Sequence, residues 1–139
     1  MKKLLFLILC TTTLGLVSCK KDTIINETTP NRTFIYTINP SSWTLNAEKD
    51  TYTTILDIPE IDDITLDDEG VLIYITDPDN ANVQKPLPHT FNFAAYSYEF
   101  TQGEIRVHIQ NSDTDQLIPK APTKPITAKV IIIPSEFQP

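Results

Sequence analysis

The chain has 139 residues, 40% of them hydrophobic, and its 18 acidic side chains against 11 basic ones give a net charge of −7. That length is enough for one domain with a core of its own. The acidic balance argues against a nucleic-acid partner and against electrostatic docking on anionic lipid, since both need a basic surface.

Lys2 and Lys3 precede an apolar stretch, Leu4 to Leu9, which continues through Cys10, Leu14, Leu16 and Val17. A charged start, a short apolar centre and a small residue before the cut match a secretory signal peptide. Thr11, Thr12 and Thr13 interrupt the stretch, which is too short for a span of about 20 apolar residues. It ends in Leu16-Val17-Ser18-Cys19, which resembles a bacterial lipobox. The resemblance implies cleavage before Cys19 and attachment of a diacylglyceryl group to its thiol. Residues 1–18 are therefore expected to be a lipoprotein signal peptide, and the chain to reach the membrane through lipid on Cys19. Each buried methylene contributes about 0.8 kcal/mol and one acyl chain holds only marginally, so stable anchoring needs two or three. Processing would leave 121 residues and, with Lys2 and Lys3 gone, a net charge of −9. With Cys10 removed and Cys19 lipidated, no thiol remains for a disulfide, a Cys nucleophile or a zinc–cysteine site, and the core alone must hold the domain.

Residues 19–33 are the expected lipidated cysteine and tether: Lys20 to Thr33 is polar, aperiodic and contains Pro30. As a flexible coil this stretch would span roughly 20 Å. Lys20 stands where the enterobacterial inner-membrane retention signal has Asp. Lys20-Lys21-Asp22 resembles the charged surface-export signals of Bacteroidetes lipoproteins, and Asp22-Thr23-Ile24 fits the short O-glycosylation pattern of that phylum. The expected location is the cell envelope, on an outer membrane, at its periplasmic face or the cell surface.

From residue 34 to 139 the sequence is written in period two. Phe34, Tyr36 and Ile38 alternate with Thr33, Ile35 and Thr37, and Asn39-Pro40-Ser41-Ser42 turns the chain. Trp43 and Leu45 begin the next extended piece. Tyr52, Thr54, Leu56 and Ile58 share a face up to Pro59. Gly70 opens Val71 to Thr76, apolar on both faces and thus suited to a central strand. Asp77-Pro78-Asp79-Asn80 is turn chemistry, and Pro86-Leu87-Pro88 can only be extended or at an edge. Tyr96, Tyr98 and Phe100 alternate, Gln102-Gly103 reads as a tight hairpin turn, and Ile105, Val107 and Ile109 return with Arg106, His108 and Gln110 on the other face. A Pro-rich loop from Asn111 to Pro125 leads to a last strand, Thr127 to Ile133. No amphipathic helix is evident. The expected fold is all-β: a single antiparallel β-sandwich, immunoglobulin-like, with a small β-barrel as the alternative.

Gly-Val-Leu-Ile-Tyr (70–74), Leu-Pro-His-Thr-Phe (87–91), Tyr-Ser-Tyr-Glu-Phe (96–100), Gly-Glu-Ile-Arg-Val-His-Ile (103–109) and Lys-Val-Ile-Ile-Ile-Pro (129–134) follow in order. The series resembles a group of small surface or periplasmic lipoproteins of Bacteroidetes. It consists of strand cores and turns, so the resemblance implies compartment and fold and supplies no site residues.

Asp57 to Glu69 holds seven acidic and no basic residues. Oxygen ligands at that density, together with the turn at 77–82, make Asp62, Asp63, Asp67, Asp68, Asp77 and Asp79 candidate calcium ligands. Ala81 departs from the EF-hand pattern. The competing expectation is a solvated acidic loop with Ile61, Ile64 and Leu66 as buried pins. His89, in a Pro-flanked loop, and His108, on a polar strand face, would bind zinc only with carboxylates close by. No Ser stands in a nucleophile-elbow context. Thr65-x-x-Asp68 and Thr101-x-x-Glu104 have capping-box spacing but precede strands. Trp43, Tyr96 and Tyr98 suit either a sugar-stacking platform or the core, and their alternation favours the core with Trp43 as anchor.

These features point to a non-enzymatic, lipid-anchored binding domain without a cofactor, monomeric, its ligand a glycan or a protein. The alternative is a structural, adhesin or fimbria-like assembly subunit in which the apolar last strand pairs with a neighbour.

Overall fold

The computed structural model describes residues 29–112 and 118–135. The expected signal peptide, Cys19 and the tether up to residue 28 lie outside the described residues. Among the described residues nine strands form: β1 (Arg32–Ile38), β2 (Thr44–Leu45), β3 (Thr51–Asp57), β4 (Gly70–Thr76), β5 (Gln84–Pro86), β6 (His89–Phe91), β7 (Ala94–Thr101), β8 (Glu104–Asn111) and β9 (Ile126–Ile133). They make two antiparallel sheets, ordered β1-β9-β4-β5 and β2-β3-β8-β7-β6. The sheets face each other as a sandwich and do not close into a barrel.

The period-two pattern explains the layering. Side chains alternate across a strand, so one parity of each strand enters the core. Ile126, Ala128, Val130 and Ile132 of β9 meet Ile105, Val107 and Ile109 of β8 between the sheets, each with 0 or 1% of its surface exposed. Trp43 is buried among them, as expected. Its indole Nε1 is buried and has no hydrogen-bond partner among the described residues. Two tyrosines on this side of each sheet bond across the gap: Tyr98 donates to the Val71 carbonyl at 2.7 Å and Tyr36 to the Asp57 carbonyl at 3.2 Å. Gly103, at φ +80°, closes the expected β7–β8 hairpin, and its amide and carbonyl bond the Ile61 carbonyl and Ile58 amide.

Local expectations differ at four places. A five-residue helix, α1 (Asp63–Asp67), interrupts the acidic stretch. It is too short to show a helical period in the sequence, and it starts at Asp62, whose carboxylate accepts from the Thr65 amide at 3.0 Å. The working cap is thus Asp62-x-x-Thr65, one turn ahead of the Thr65-x-x-Asp68 spacing. Ile64 and Leu66 are exposed rather than pins, because the inward positions of this turn are Ile61 and Thr65. His89 lies on β6, opposite Tyr96, rather than in a loop.

The last strand settles where β9 belongs. It is paired along its length with β1 on one side and β4 on the other. Its outward residues Ile131 and Ile133 are half-buried in its own sheet, and Lys129 sits over the Tyr74 ring at 4.6 Å. Ile132→Ala, which opens a cavity at a fully buried site, is expected to lower unfolding free energy by roughly 2–5 kcal/mol in urea titration with an unchanged slope. Removing residues 127–139 should abolish the cooperative melt in circular dichroism. A folded truncated protein would show that β9 does not hold the sheet.

Candidate functional site

The sandwich has two distinct ends. At one lie the start of β1, α1 and the β7–β8 turn. Here Arg32 bonds the Glu60 carbonyl at 3.4 Å and pairs with Glu69 at 2.5 Å. Glu69 also accepts from the Thr65 hydroxyl at 2.6 Å. The acidic stretch is therefore organised by its own cap and by one arginine.

At the other end, where β1 finishes and β9 begins, three segments enclose a shallow cleft of ≈ 190 Å³. The β4–β5 turn supplies Asp79, the β6–β7 hairpin supplies Phe91, Asn92 and Tyr96, and the run into β9 supplies Lys120 and Pro122. Its floor is rigid. Asp77, nine-tenths buried, pairs with Lys85 at 2.7 Å and accepts from the Asp79 amide at 2.8 Å. The same ammonium lies 3.7 Å from the centre of the Phe91 ring. These bonds, the Lys85 contact first, hold the Asp77 carboxyl below its ordinary value. Tyr96 is buried and its side chain makes no hydrogen bond among the described residues. Burial, then the charges of Asp77 and Asp79, push its hydroxyl pKa up.

The wall contains the least expected backbone in the domain. Phe91 pairs with Ala94, so Asn92-Phe93 is a two-residue hairpin turn, and both residues have positive φ, at 46° and 62°. That is the signature of a type I′ turn, which asks for Asn-Gly. Asn92 suits it, and its amide reaches Asp79 at 3.4 Å. Phe93 does not suit it, yet its carbonyl is held by the Ser112 amide at 2.8 Å and its ring is 63% exposed. Sequence reasoning missed this hairpin because a phenylalanine carries no turn signal.

The candidates from the sequence are distributed as follows. Asp62 caps α1, Asp63 occupies its first turn, Asp67 and Asp68 are exposed at its end, Asp77 is tied to Lys85, and Asp79 lines the cleft. No group of three or more His, Cys, Asp or Glu side chains able to hold a metal occurs among the described residues. His89 pairs with inward-facing Tyr96 and so falls on the opposite face of the sheet from His108. Trp43 and Tyr96 are core and Tyr98 packs against it, so the expected sugar platform does not form from these three.

On the open face of the five-stranded sheet, Thr53 Oγ1 and His108 Nδ1 share a hydrogen bond at 2.9 Å, and His108 Nε2 lies 3.5 Å from Glu99. A hydroxyl, an imidazole and a carboxylate in a row carry the elements of a nucleophile–base pair. This row crosses β3, β8 and β7. Arg106, 2.6 Å from Glu104, completes a surface ion-pair ladder. Among the described residues no helix is long and apolar enough to cross a membrane. Searches of family models, curated proteins and solved structures find no match to the chain.

Two outcomes are expected. Asp77 and Asp62 both have native pKa values below the ordinary 3.8, Asp62 chiefly through the Thr65 amide. The unfolded chain therefore binds more protons, and this stability is present in full above pH 3.8 and is lost as pH falls through the lowered native values. Urea unfolding from pH ~5 to ~2 should show that acid slope, and Lys85→Gln should flatten it. Phe93→Gly, which converts the turn to Asn-Gly, should raise stability by about 1 kcal/mol, read as a higher urea midpoint.

Proposed function

We propose that this chain is a lipid-anchored protein of the cell envelope whose β-sandwich binds a ligand without transforming it. The observation that carries the reading is Leu16-Val17-Ser18-Cys19 at the end of a charged-then-apolar leader. The resemblance of the strand and turn series to small Bacteroidetes lipoproteins supports the same compartment, an outer membrane facing the periplasm or the outside.

The two-ended architecture supports the binding part. Chain arriving from Cys19 enters at Arg32, and the cleft lies at the opposite end of the strands. β1 has seven residues, so at about 3.3 Å each its length sets the cleft roughly 23 Å beyond the point of entry. Loops on a rigid scaffold are where binding residues concentrate, and this end is made of three of them. The central position of β9, paired on both edges, weighs against its donation to a neighbouring subunit. The anchored protein acts as a monomer, and lipid rather than charge supplies its membrane contact.

Cys19→Ala tests the anchor. Metabolic labelling with a fatty acid followed by detergent partitioning should show a labelled, detergent-phase wild type and an unlabelled, aqueous-phase variant. Equal labelling of the two would overturn the assignment.

A further inference from the structure

Among the described residues the two sheets have four edges, and three of them are blunted. β2 has two residues, β6 has three, and β5 has three that include Lys85 and Pro86. Short length, a lysine and a proline each keep an edge from pairing with another chain. β1 is the fourth edge and has none of these. Its seven residues run in unbroken register along β9, with no proline and with no charge after Arg32.

The register shows which backbone groups β1 leaves open. Along an antiparallel strand, the N–H and C=O groups of successive residues point to opposite neighbours. The Thr127 amide donates to Thr76 of β4 at 3.0 Å, so Ala128 and Val130 turn theirs toward β1. The Ile73 carbonyl accepts from the Leu87 amide of the β5 side at 2.9 Å, in the same phase, because Ile73 stands opposite Val130. Phe34 and Tyr36, opposite Val130 and Ala128, therefore bond β9. Thr33, Ile35 and Thr37 point the other way. Their N–H and C=O groups meet no partner among the described residues. All three side chains are exposed on the outer face, Ile35 by 62%. Next to them Ile131 and Leu72 continue an apolar surface across β9 and β4.

The inner side of this edge is acidic. The Tyr36 hydroxyl bonds the Asp57 carbonyl, and burial, then the charges of Glu60 and Asp57, push its pKa up. Both carboxylates therefore stand near β1, and neither has an ion-pair partner among the described residues. Two copies joined through β1 would bring these carboxylates together and unite two chains of net charge −7. Like charges across an interface oppose pairing, whereas a cationic strand is complementary.

We propose that β1 accepts an extended segment of another protein as an antiparallel fifth strand of the four-stranded sheet, one that alternates β-branched apolar side chains beside Ile35 with lysine or arginine toward Asp57 and Glu60. The backbone groups of Thr33, Ile35 and Thr37 supply the hydrogen bonds, and the alternate side chains select the partner. This edge is formed by the sandwich itself and needs no lipid on Cys19.

The probe is a dye-labelled peptide matched in length to β1, blocked at both ends, in which lysine alternates with valine. Its binding to the purified full chain in a nonionic detergent is read by fluorescence anisotropy. N-methylation of the valine amides, which face Thr33, Ile35 and Thr37, should weaken binding at least about tenfold. N-methylation of the lysine amides, which face away, should leave it. Ile35→Lys should abolish binding. Ile55→Lys adds the same charge at an exposed isoleucine of the other sheet and should bind as the wild type does. Both variants should keep the wild-type melting curve, since both positions are exposed. Asp57→Asn combined with Glu60→Gln should weaken binding, and a peptide of glutamate and valine should not bind. Binding indifferent to valine N-methylation or to Ile35→Lys would reduce the effect to charge attraction and overturn the site. Absence of binding would also overturn it. So would a wild-type dimer at micromolar concentration that Ile35→Lys makes monomeric, because the edge would then belong to a second copy.

Discussion

β9 is hydrogen-bonded along both edges, and everything else in the four-stranded sheet is arranged around that fact. Its neighbours β1 and β4 come from the first third and the middle of the domain, so the sheet exists only once the last strand is in place. The alternation Ile126, Ala128, Val130, Ile132 puts four side chains into the gap facing β8, where Ala128 leaves room for larger neighbours. With no cysteine among the described residues, this aliphatic contact between sheets and the hydrogen bonds of the ladders carry the stability. This non-local pairing gives the fold a high contact order, which slows folding.

The period-two signal made much of this fold legible. The inward sets of β1, β3, β7 and β8 follow from alternation alone, Trp43 from its size, and the Gln102-Gly103 hairpin from its glycine. What alternation does not report is backbone that breaks the rule. α1 is one turn long and is set by a carboxylate three residues from the amide it caps, so no helical period precedes it. Ile64 and Leu66 are apolar and exposed there, and composition alone assigns them to the core. The site is less legible still. Asp77 reads as a turn residue, while its burial against Lys85 depends on β5 returning beside β4. The Asn92-Phe93 turn lacks the glycine by which such turns are recognised.

The cleft and the core are connected by the same residues. Asp77 terminates β4, anchors the β4–β5 turn through the Asp79 amide, and fixes Lys85 over Phe91 at the foot of the β6–β7 hairpin. Two loops from different sheets are thereby held together by one carboxylate and one ammonium. A pair this enclosed contributes little net stability by itself, because desolvation offsets most of its attraction. Its effect is geometric: it sets the width of the cleft and the position from which Asn92 and Phe93 project.

β1 enters the sheet at Arg32 and runs toward the cleft, bonded on one side only, to β9. Tension applied between Arg32 and anything held at the cleft would draw β1 along its own axis, past β9. The hydrogen bonds of an antiparallel ladder lie perpendicular to that axis, so they are loaded together in shear and do not open one after another. An edge strand that would unzip easily if peeled sideways is, in this direction, the mechanically resistant part of the molecule.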